Sequence, residues 1–152
     1  MPLGKDLLVL PGFTAGDAAT RDLLRVRRSR PVLSPAAGSE AFDIATVDGR
    51  ENLAQALILR LVTPRGALAA LGHAAYGSRL HELIGRNKTE ALRNLCRAFV
   101  LEAVAQEPRV ENEALVLEFD HAAETPSSFV FRLDVRPREG GDAVSLLLEA
   151  AV

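Results

Sequence analysis

The chain has 152 residues, the size of a single ordinary domain, and its hydrophobic fraction of 48% and charged fraction of 25% lie near the globular average. Its formal net charge of −2 excludes the strong positive field typical of nucleic-acid binders, and its single cysteine excludes an internal disulfide. Because the apolar runs are only a few residues long and the N-terminus lacks a secretory signal, we expect a soluble, cytoplasmic chain without a membrane-spanning segment.

The first forty residues are rich in turn-forming residues and carry only short apolar patches, of which Leu7–Leu10 is long enough for a short strand. Five arginines fall within ten residues: Arg21, Arg25, Arg27, Arg28 and Arg30. Such a run is either a solvated basic face or a contact for an acidic partner or nucleic acid. No aromatic residue lies among the arginines, which disfavours stacking on single-stranded nucleic acid. We predict an extended N-terminal arm over residues 1–40 and a folded domain over residues 41–152.

The domain is predicted to start with a strand and a helix. Phe42–Val47 alternates apolar and polar residues, as a half-buried strand does, and Asp48-Gly49 follows as a turn or a helix start. Between Glu51 and Thr63, apolar residues recur every four positions and form one helical stripe: Leu53, Leu57 and Leu61, with Ile58 and Val62 beside them. Pro64 ends this helix, because the residue before a proline avoids the helical conformation.

A second, longer helix is predicted over Asn87–Gln106. Asn87 can cap the free amide groups at its start, and Glu90 can reach back to the cap. Downstream, one continuous apolar face is formed by Leu92, Leu95, Cys96, Phe99, Val100, Ala103 and Val104. On this face Cys96 is expected to act as a small core residue, and the helix must stop before Pro108.

The last third of the chain changes to a period of two. Phe129–Arg136 and Ala143–Ala150 each alternate, and Gly140-Gly141 between them predicts a β-hairpin. Val110–Phe119 supplies an earlier strand with imperfect alternation. The order of elements predicts an α+β fold, with helices packed on one face of a small, mainly antiparallel sheet.

Motifs for common enzyme chemistry are absent from the sequence. There is no phosphate-binding glycine loop and no G-x-S-x-G elbow, and His81-Glu82 lacks the second histidine of a zinc-protease helix because position 85 is Gly85. The three histidines lack the spacing of a metal site. Glu111 and Glu113 would lie on one strand face at a distance that a glycosidase could use, but a chain without tryptophan offers no aromatic sugar cleft. We therefore expect no catalytic residue, no metal and no cofactor.

Four short segments, in the same order along the chain, resemble segments of a known family of proteins in contractile phage tails. They are Asn52–Leu57, Leu61–Gly66 with its Thr-Pro-Arg-Gly, Tyr76–Leu80, and the triplet Glu107-Pro108-Arg109 after the long helix. The chain is similar in these segments to the baseplate wedge family, which includes phage baseplate assembly protein W, the T-even wedge protein labelled lysozyme-like, and TssE of type VI secretion. The resemblance covers about two-thirds of the chain.

The resemblance implies a structural protein with a fold similar to the core domain of the sheath subunit. It implies six copies around the tube of a contractile injection machine, docked on other wedge subunits, hub, tube and sheath, without nucleic acid, membrane insertion or small-molecule substrate. Such a subunit would be made in the cytoplasm, become part of the baseplate and initiate sheath polymerisation. The matching residues expected to face partners are Glu107, Pro108, Arg109, Arg65, Tyr76 and Arg79.

Other interpretations remain open from the residues. The turns at Thr63–Gly66 and at Glu107–Arg109 can be purely structural, the second as a proline-terminated helix with a surface ion pair. The chain can also be a peptidoglycan-cleaving tail enzyme, or a small adaptor that uses the same fold. If the sheath assembles by strand addition, we expect one strand of the C-terminal hairpin to be the open sheet edge.

Overall fold

The computed structural model of the protein describes residues 3–7, 20–22, 33–35, 42–44 and 46–152. In these ranges the chain forms the following strands and α-helices: β1 (Lys5–Leu7), β2 (Thr20–Asp22), β3 (Leu33–Pro35), β4 (Phe42–Ile44), β5 (Thr46–Asp48), α1 (Gly49–Val62), α2 (Glu90–Ala105), β6 (Val116–Phe119), β7 (Ser128–Val135) and β8 (Val144–Ala151). Short 3-10 helices lie at Ala69–Leu71, Leu80–Leu83 and Asn112–Ala114. None of the helices in these ranges has the length and apolar character needed to cross a bilayer.

The largest sheet has the strand order β2-β8-β7-β6. β6, β7 and β8 are antiparallel to one another, and β2 pairs in parallel with β8. Two small antiparallel sheets, β1 with β5 and β3 with β4, complete the pairing of the described strands. The predicted α+β class with a mainly antiparallel sheet is confirmed.

One face of the large sheet packs against both helices. The alternate residues of β7 and β8 that point to this side are buried: Phe129, Phe131, Leu133, Val135, Val144, Leu146, Leu148 and Ala150. They share a core with the stripe Leu53, Leu57 and Leu61 of α1 and with Cys96, Phe99 and Val100 of α2. Each buried leucine or phenylalanine contributes about 1.5–3 kcal/mol by leaving water, so this face supplies much of the driving force for folding.

The boundaries of α1 follow from the residues that flank it. Asp48 is extended at the N-cap, and Gly49 begins the helix with a φ of +56°, a conformation that favours glycine. At the other end Thr63 is extended, as expected before Pro64, and its amide and its hydroxyl both donate to the carbonyl of Leu59, at 3.1 and 2.7 Å. The predicted helix is confirmed, with its start two residues earlier.

The predicted cap of α2 was wrong. The helix begins at Glu90, and the N-cap is Thr89, whose hydroxyl accepts a hydrogen bond from the amide of Leu92 at 3.1 Å. Asn87 lies two residues too early to reach the free amides of the first turn. The apolar face of the helix is confirmed, because all its predicted members are buried except Leu95, which is partly buried.

Two predicted strands differ from the observed ones. Phe42–Val47 contributes to two short strands, β4 and β5, which pair with different partners. Val110–Phe119 is a strand only from Val116: Val110 bridges Pro137, and Asn112–Ala114 is a 3-10 turn. Glu111 and Glu113 therefore do not share a strand face. Of the strand expected at Leu7–Leu10, Leu7 ends β1 and residues 8–10 lie outside the described residues.

The hairpin β7–β8 does not form a free sheet edge, which corrects the prediction. β7 is paired on both sides, and β8 carries β2 along Leu147–Glu149. The described edges of this sheet are β6 and β2. Described segments from residues 1–40 thus pair with strands of residues 41–152, and the division at residue 40 stays a prediction. Arg21 lies in β2, whereas the other four arginines of the run lie outside the described residues.

Candidate partner-binding site

The residues that the sequence predicts as partner-facing lie in two regions of the fold. Arg65, Tyr76 and Arg79 belong to the long connection between α1 and α2, and the triplet Glu107-Pro108-Arg109 follows α2 directly. Arg60, on the last turn of α1, lies between the two regions and contacts both Tyr76 and Glu107.

Glu107 is buried, with a side-chain exposure of 4%. Its carboxylate accepts a hydrogen bond from Arg109 Nε at 2.6 Å and lies 3.4 Å from Arg60 Nη2. Burial raises the pKa of this carboxyl, but the hydrogen bond from Arg109 and the charges of both guanidinium groups outweigh it, so the pKa of Glu107 lies below its ordinary value. Glu107 was expected to face a partner, but its side chain is buried and its carboxylate lies between the guanidinium groups of Arg60 and Arg109.

Glu107 orients Arg109 toward residues 3–7, which we call the N-terminal segment. While Nε is bound to Glu107, Nη1 donates to the carbonyl of Leu3 at 2.9 Å. Pro108 between them is exposed in the turn after α2. The triplet therefore joins the end of α2 to the N-terminal segment, and of its three side chains only those of Pro108 and Arg109 reach the surface.

Tyr76 packs under the guanidinium of Arg60, whose central carbon lies 4.6 Å from the ring centroid. Burial raises the pKa of Tyr76 above its ordinary value, against the opposing charge of Arg60. A cation over an aromatic face is favourable, so Tyr76 holds Arg60 in the position from which it reaches Glu107. Tyr76, Arg60, Glu107 and Arg109 form one connected group.

The main chain of Arg65 is held in place where two turns approach each other closely. Its amide donates to the carbonyl of Ser78 and the amide of Ser78 donates to that of Thr63, both at 2.8 Å. Between them Gly77 has a φ of +107°, and a Cβ there would collide with main-chain atoms of Thr63–Arg65. The Arg65 side chain pairs with Glu102 of α2.

Arg79, in the connection before α2, packs its half-exposed side chain against that helix. It binds both carboxylate oxygens of Glu82, at 2.8 and 2.9 Å, and its guanidinium lies 4.4 Å from the Phe99 ring centroid. The hydrogen bond from Arg79 lowers the pKa of Glu82. Arg65 and Arg79 thus remain accessible, each already paired with a partly exposed carboxylate.

An exposed apolar segment lies between these two arginines. Leu71, in the 3-10 helix Ala69–Leu71, is 72% exposed, and the alanines around it are exposed as well: Ala67, Ala69, Ala70, Ala74 and Ala75. We call residues 67–75 the apolar loop. Leu71 is the most exposed large hydrophobic residue in the part of the chain that the structure describes.

Two buried amides of α1 were missed by sequence reasoning. Asn52 and Gln55 are 4% and 2% exposed, and their side-chain amides donate to the carbonyls of Leu3 and Leu7, both at 2.8 Å. One feature of the sequence could have indicated their burial: Asn52 and Gln55 lie among the apolar positions of the helix. A buried polar side chain must find a partner, which here is the main chain of the N-terminal segment.

A second buried carboxylate, Glu124, was also missed. It accepts hydrogen bonds from Arg93 and lies 2.7 Å from Lys88 Nζ, and these two cations stack on the Phe129 ring at 4.8 and 5.1 Å. Burial raises the pKa of Glu124, but the bonds from Arg93 and Lys88 outweigh it and lower the pKa to about 2. This group joins the start of α2 to the loop before β7.

The charged side chains of this region form ion pairs, and its buried amides donate hydrogen bonds to main-chain carbonyls. In the part of the chain that the structure describes, no three His, Cys, Asp or Glu side chains are placed to hold a metal ion. Cys96 is fully buried in the core, and burial raises its pKa to about 12, so it stays a thiol at neutral pH.

Comparison with known proteins gives a likeness in fold. No protein-family model matches the chain, and no curated protein matches it either. Among solved structures, the chain is similar to a protein from Geobacter sulfurreducens that is provisionally named a tail lysozyme, with a TM-score of 0.54 and 22% sequence identity. The likeness covers 67% of this chain and 89% of that protein. At this level of identity, what the two proteins share is the fold.

Proposed function

We propose that this chain is a structural wedge subunit in the baseplate of a contractile injection system, a phage tail or a related machine, and that it initiates sheath polymerisation. The observation that carries the proposal is the fold shared with a protein named a tail lysozyme. The order of the wedge-like segments along the chain supports the same class of protein.

The wedge and hub subunits would dock on the apolar loop and on Arg65 and Arg79 beside it. Leu71 offers an apolar anchor, and each arginine can exchange its intramolecular carboxylate for one on a partner. Glu107 has a different role, because its buried carboxylate holds Arg109 and Arg60 in place. The partner-facing part of the triplet would be Pro108 and the outer side of Arg109.

Binding to the other baseplate proteins of the same machine tests this surface. Leu71→Asp should weaken the complex about tenfold or more, because a buried apolar anchor carries much of the energy of an interface. Ile84→Asp is the matched control, since Ile84 is an exposed aliphatic residue outside the loop. Equal affinities of the wild type and the Leu71 variant in titration calorimetry would remove the apolar loop from the interface.

The sheath would start at the outer edge of β6. The amide of Asp120 donates to the carbonyl of Val130 at 2.8 Å. Because main-chain bonds alternate along an antiparallel pair, Leu117 and Phe119 direct their main-chain groups away from β7. Among the described strands none pairs with β6 on that side. The carbonyl of Leu117 accepts a hydrogen bond from Arg97 Nη1 at 2.8 Å, so an extended segment of the first sheath subunit would add to this edge by taking the place of Arg97 there.

A peptidoglycan-cleaving enzyme is the second candidate, favoured by the name of the similar protein. Such an enzyme needs two carboxylates at a sugar-binding cleft. We propose that the chain has no such activity, because its buried carboxylates Glu107 and Glu124 are each held by two cations. Loss of turbidity of a cell-wall suspension with the purified protein would favour the enzyme.

A further inference from the structure

The N-terminal segment is held almost entirely through its main chain. Asn52 and Arg109 both donate to the carbonyl of Leu3, at 2.8 and 2.9 Å, and Gln55 donates to that of Leu7 at 2.8 Å. β5 pairs with Lys5–Leu7 along its length. We call the set of Asn52, Gln55, Arg109 and β5 the strand cradle.

The side chains of the segment add little to its binding. Gly4, Lys5, Asp6 and Leu7 are exposed, and Leu3 is partly buried against the core. A strand of three residues with exposed side chains opens more easily than the core, because it buries little apolar surface. Since the cradle binds main-chain atoms, it selects an extended conformation more than a sequence.

The side chains of the cradle keep their positions independently of the segment, whereas β5 has β1 as its partner among the described strands. Asn52 and Gln55 are fixed on α1, which packs in the core, and Arg109 is oriented by its bond to Glu107. When the segment leaves, the amide of Asn52 loses the carbonyl to which it donates, and either water or another main-chain carbonyl can take that place. An open cradle can therefore bind another extended main chain.

We propose that the strand cradle is an exchange site, which binds residues 3–7 of a second copy of this chain in place of its own. A second copy carries the segment that already fits, so the hydrogen bonds that open within one chain form again between two chains. Exchange of identical elements is a low-cost route to association for this reason. The ratio of exchanged to unexchanged chains is set by the local concentration of the second copy.

The length of the connection allows the exchange. Twelve residues separate Leu7 from Thr20, where β2 begins on the large sheet. An extended chain of this length reaches about 40 Å. A globular domain of this size is also about 40 Å across, so the segment can reach a neighbouring molecule while β2 stays in place.

Disulfide capture between two full-length variants tests the exchange. Leu7 and Thr46 are register partners of β1 and β5, and both side chains are exposed. Register partners of this kind lie within the Cα distance that a disulfide spans. Leu7→Cys and Thr46→Cys chains, labelled to differ in mass, are mixed at high concentration, oxidised and separated. The native Cys96 remains in both, because it is buried and protonated.

We expect the mixed disulfide dimer in about tenfold excess over a mixture of Leu7→Cys with Ala91→Cys, whose cysteine lies exposed on α2 away from the cradle. Asn52→Leu in the Thr46→Cys chain should reduce the yield, with Gln55→Met as a second variant if Asn52→Leu fails to fold. A chain with both Leu7→Cys and Thr46→Cys should close within itself when dilute. Mixed dimer at the level of the Ala91 mixture, or failure of the double variant to close, would overturn the proposal.

Discussion

At the scale of single residues, the two buried carboxylates join parts of the chain that are far apart in sequence. Glu107 links the end of α2 to Arg60 of α1 and, through Arg109, to Leu3. Glu124 links the loop before β7 to Arg93 and Lys88 at the start of α2. Breaking a buried ion pair leaves a charge without a partner, which costs far more than losing a surface pair.

Glu107→Ala should therefore destabilise the fold by about 3 kcal/mol, because it leaves Arg60 and Arg109 poorly solvated. Glu102→Ala is the matched control: it also removes a carboxylate from an arginine, but at the surface, and should cost about 1 kcal/mol or less. Urea denaturation measures both. Equal losses for the two variants would show that the burial of Glu107 has no energetic consequence.

The low pKa of Glu124 makes the stability depend on acid pH. Its folded pKa of about 2 lies below the ordinary value of 4.5, so its contribution is fully present above pH 4.5 and is lost as the pH falls toward 2. Between pH 6 and pH 3 the wild type should lose about 2 kcal/mol through this group. Glu124→Gln should lack this part of the loss, and Glu118→Gln, at an exposed position of β6, should retain it. Parallel pH curves for the wild type and Glu124→Gln would contradict the assignment.

The core residues could be predicted from the sequence, and the buried charges could not. Leu92, Phe99 and Val100 follow from a period that a single helix imposes, so no information from elsewhere in the chain is needed. The burial of Glu107 depends on Arg60, 47 positions away, and on the N-terminal segment. An isolated Glu-Pro-Arg triplet is equally typical of a surface ion pair.

At the scale of elements, the ends of helices and the turns depend on a few residues. For α2 the deciding residue is Thr89, whose hydroxyl binds the amide of Leu92. Thr89→Ala should lower the stability by about 1 kcal/mol, and Asn87→Ala should have almost no effect. Thermal melting of the two variants compares them directly. A larger loss for Asn87→Ala would restore the cap that the sequence predicted.

Gly77 sets the close approach of the two turns between the helices. Gly77→Ala should cost about 3 kcal/mol, because its φ of +107° is strained for alanine and the new methyl group collides with the main chain of Thr63–Arg65. Gly72→Ala is the control, with a φ of +83° and open space around the added atom, and should cost about 1 kcal/mol. If the two variants unfold at the same denaturant concentration, the close approach is not required for folding.

The predicted elements were most accurate where a regular pattern is long. α1, α2, β7 and β8 were each predicted nearly at their observed positions, because each has several alternating or helically spaced apolar residues. The segment before β6 was missed, because its imperfect alternation resembles a strand while Asn112–Ala114 forms a 3-10 turn. Which strands are edges could not be predicted, since it depends on pairing between β2 and β8 from opposite ends of the chain.

At the scale of the whole molecule, each described N-terminal strand pairs with a strand from later in the chain. β1 pairs with β5, β2 with β8 and β3 with β4. This pairing leaves β2 and β6 as the edge strands of the large sheet among the described strands, and Val116 on β6 is 46% exposed. In the proposed function, the edge at β6 is the template for the first ring of the sheath.

Electron microscopy of assembled particles decides whether β6 starts the sheath. The chain is co-expressed with the sheath, tube and baseplate proteins of its own machine, either as the wild type or with Val116→Lys and Glu118→Lys on β6. Lysines on an edge strand block the addition of another strand without changing the core. A control variant carries two lysines on the exposed side of α2, Ala91→Lys and Asn94→Lys. We expect baseplates without sheath for the β6 variant and full sheaths for the control, whereas full-length sheaths on the β6 variant would contradict the proposed role of this edge.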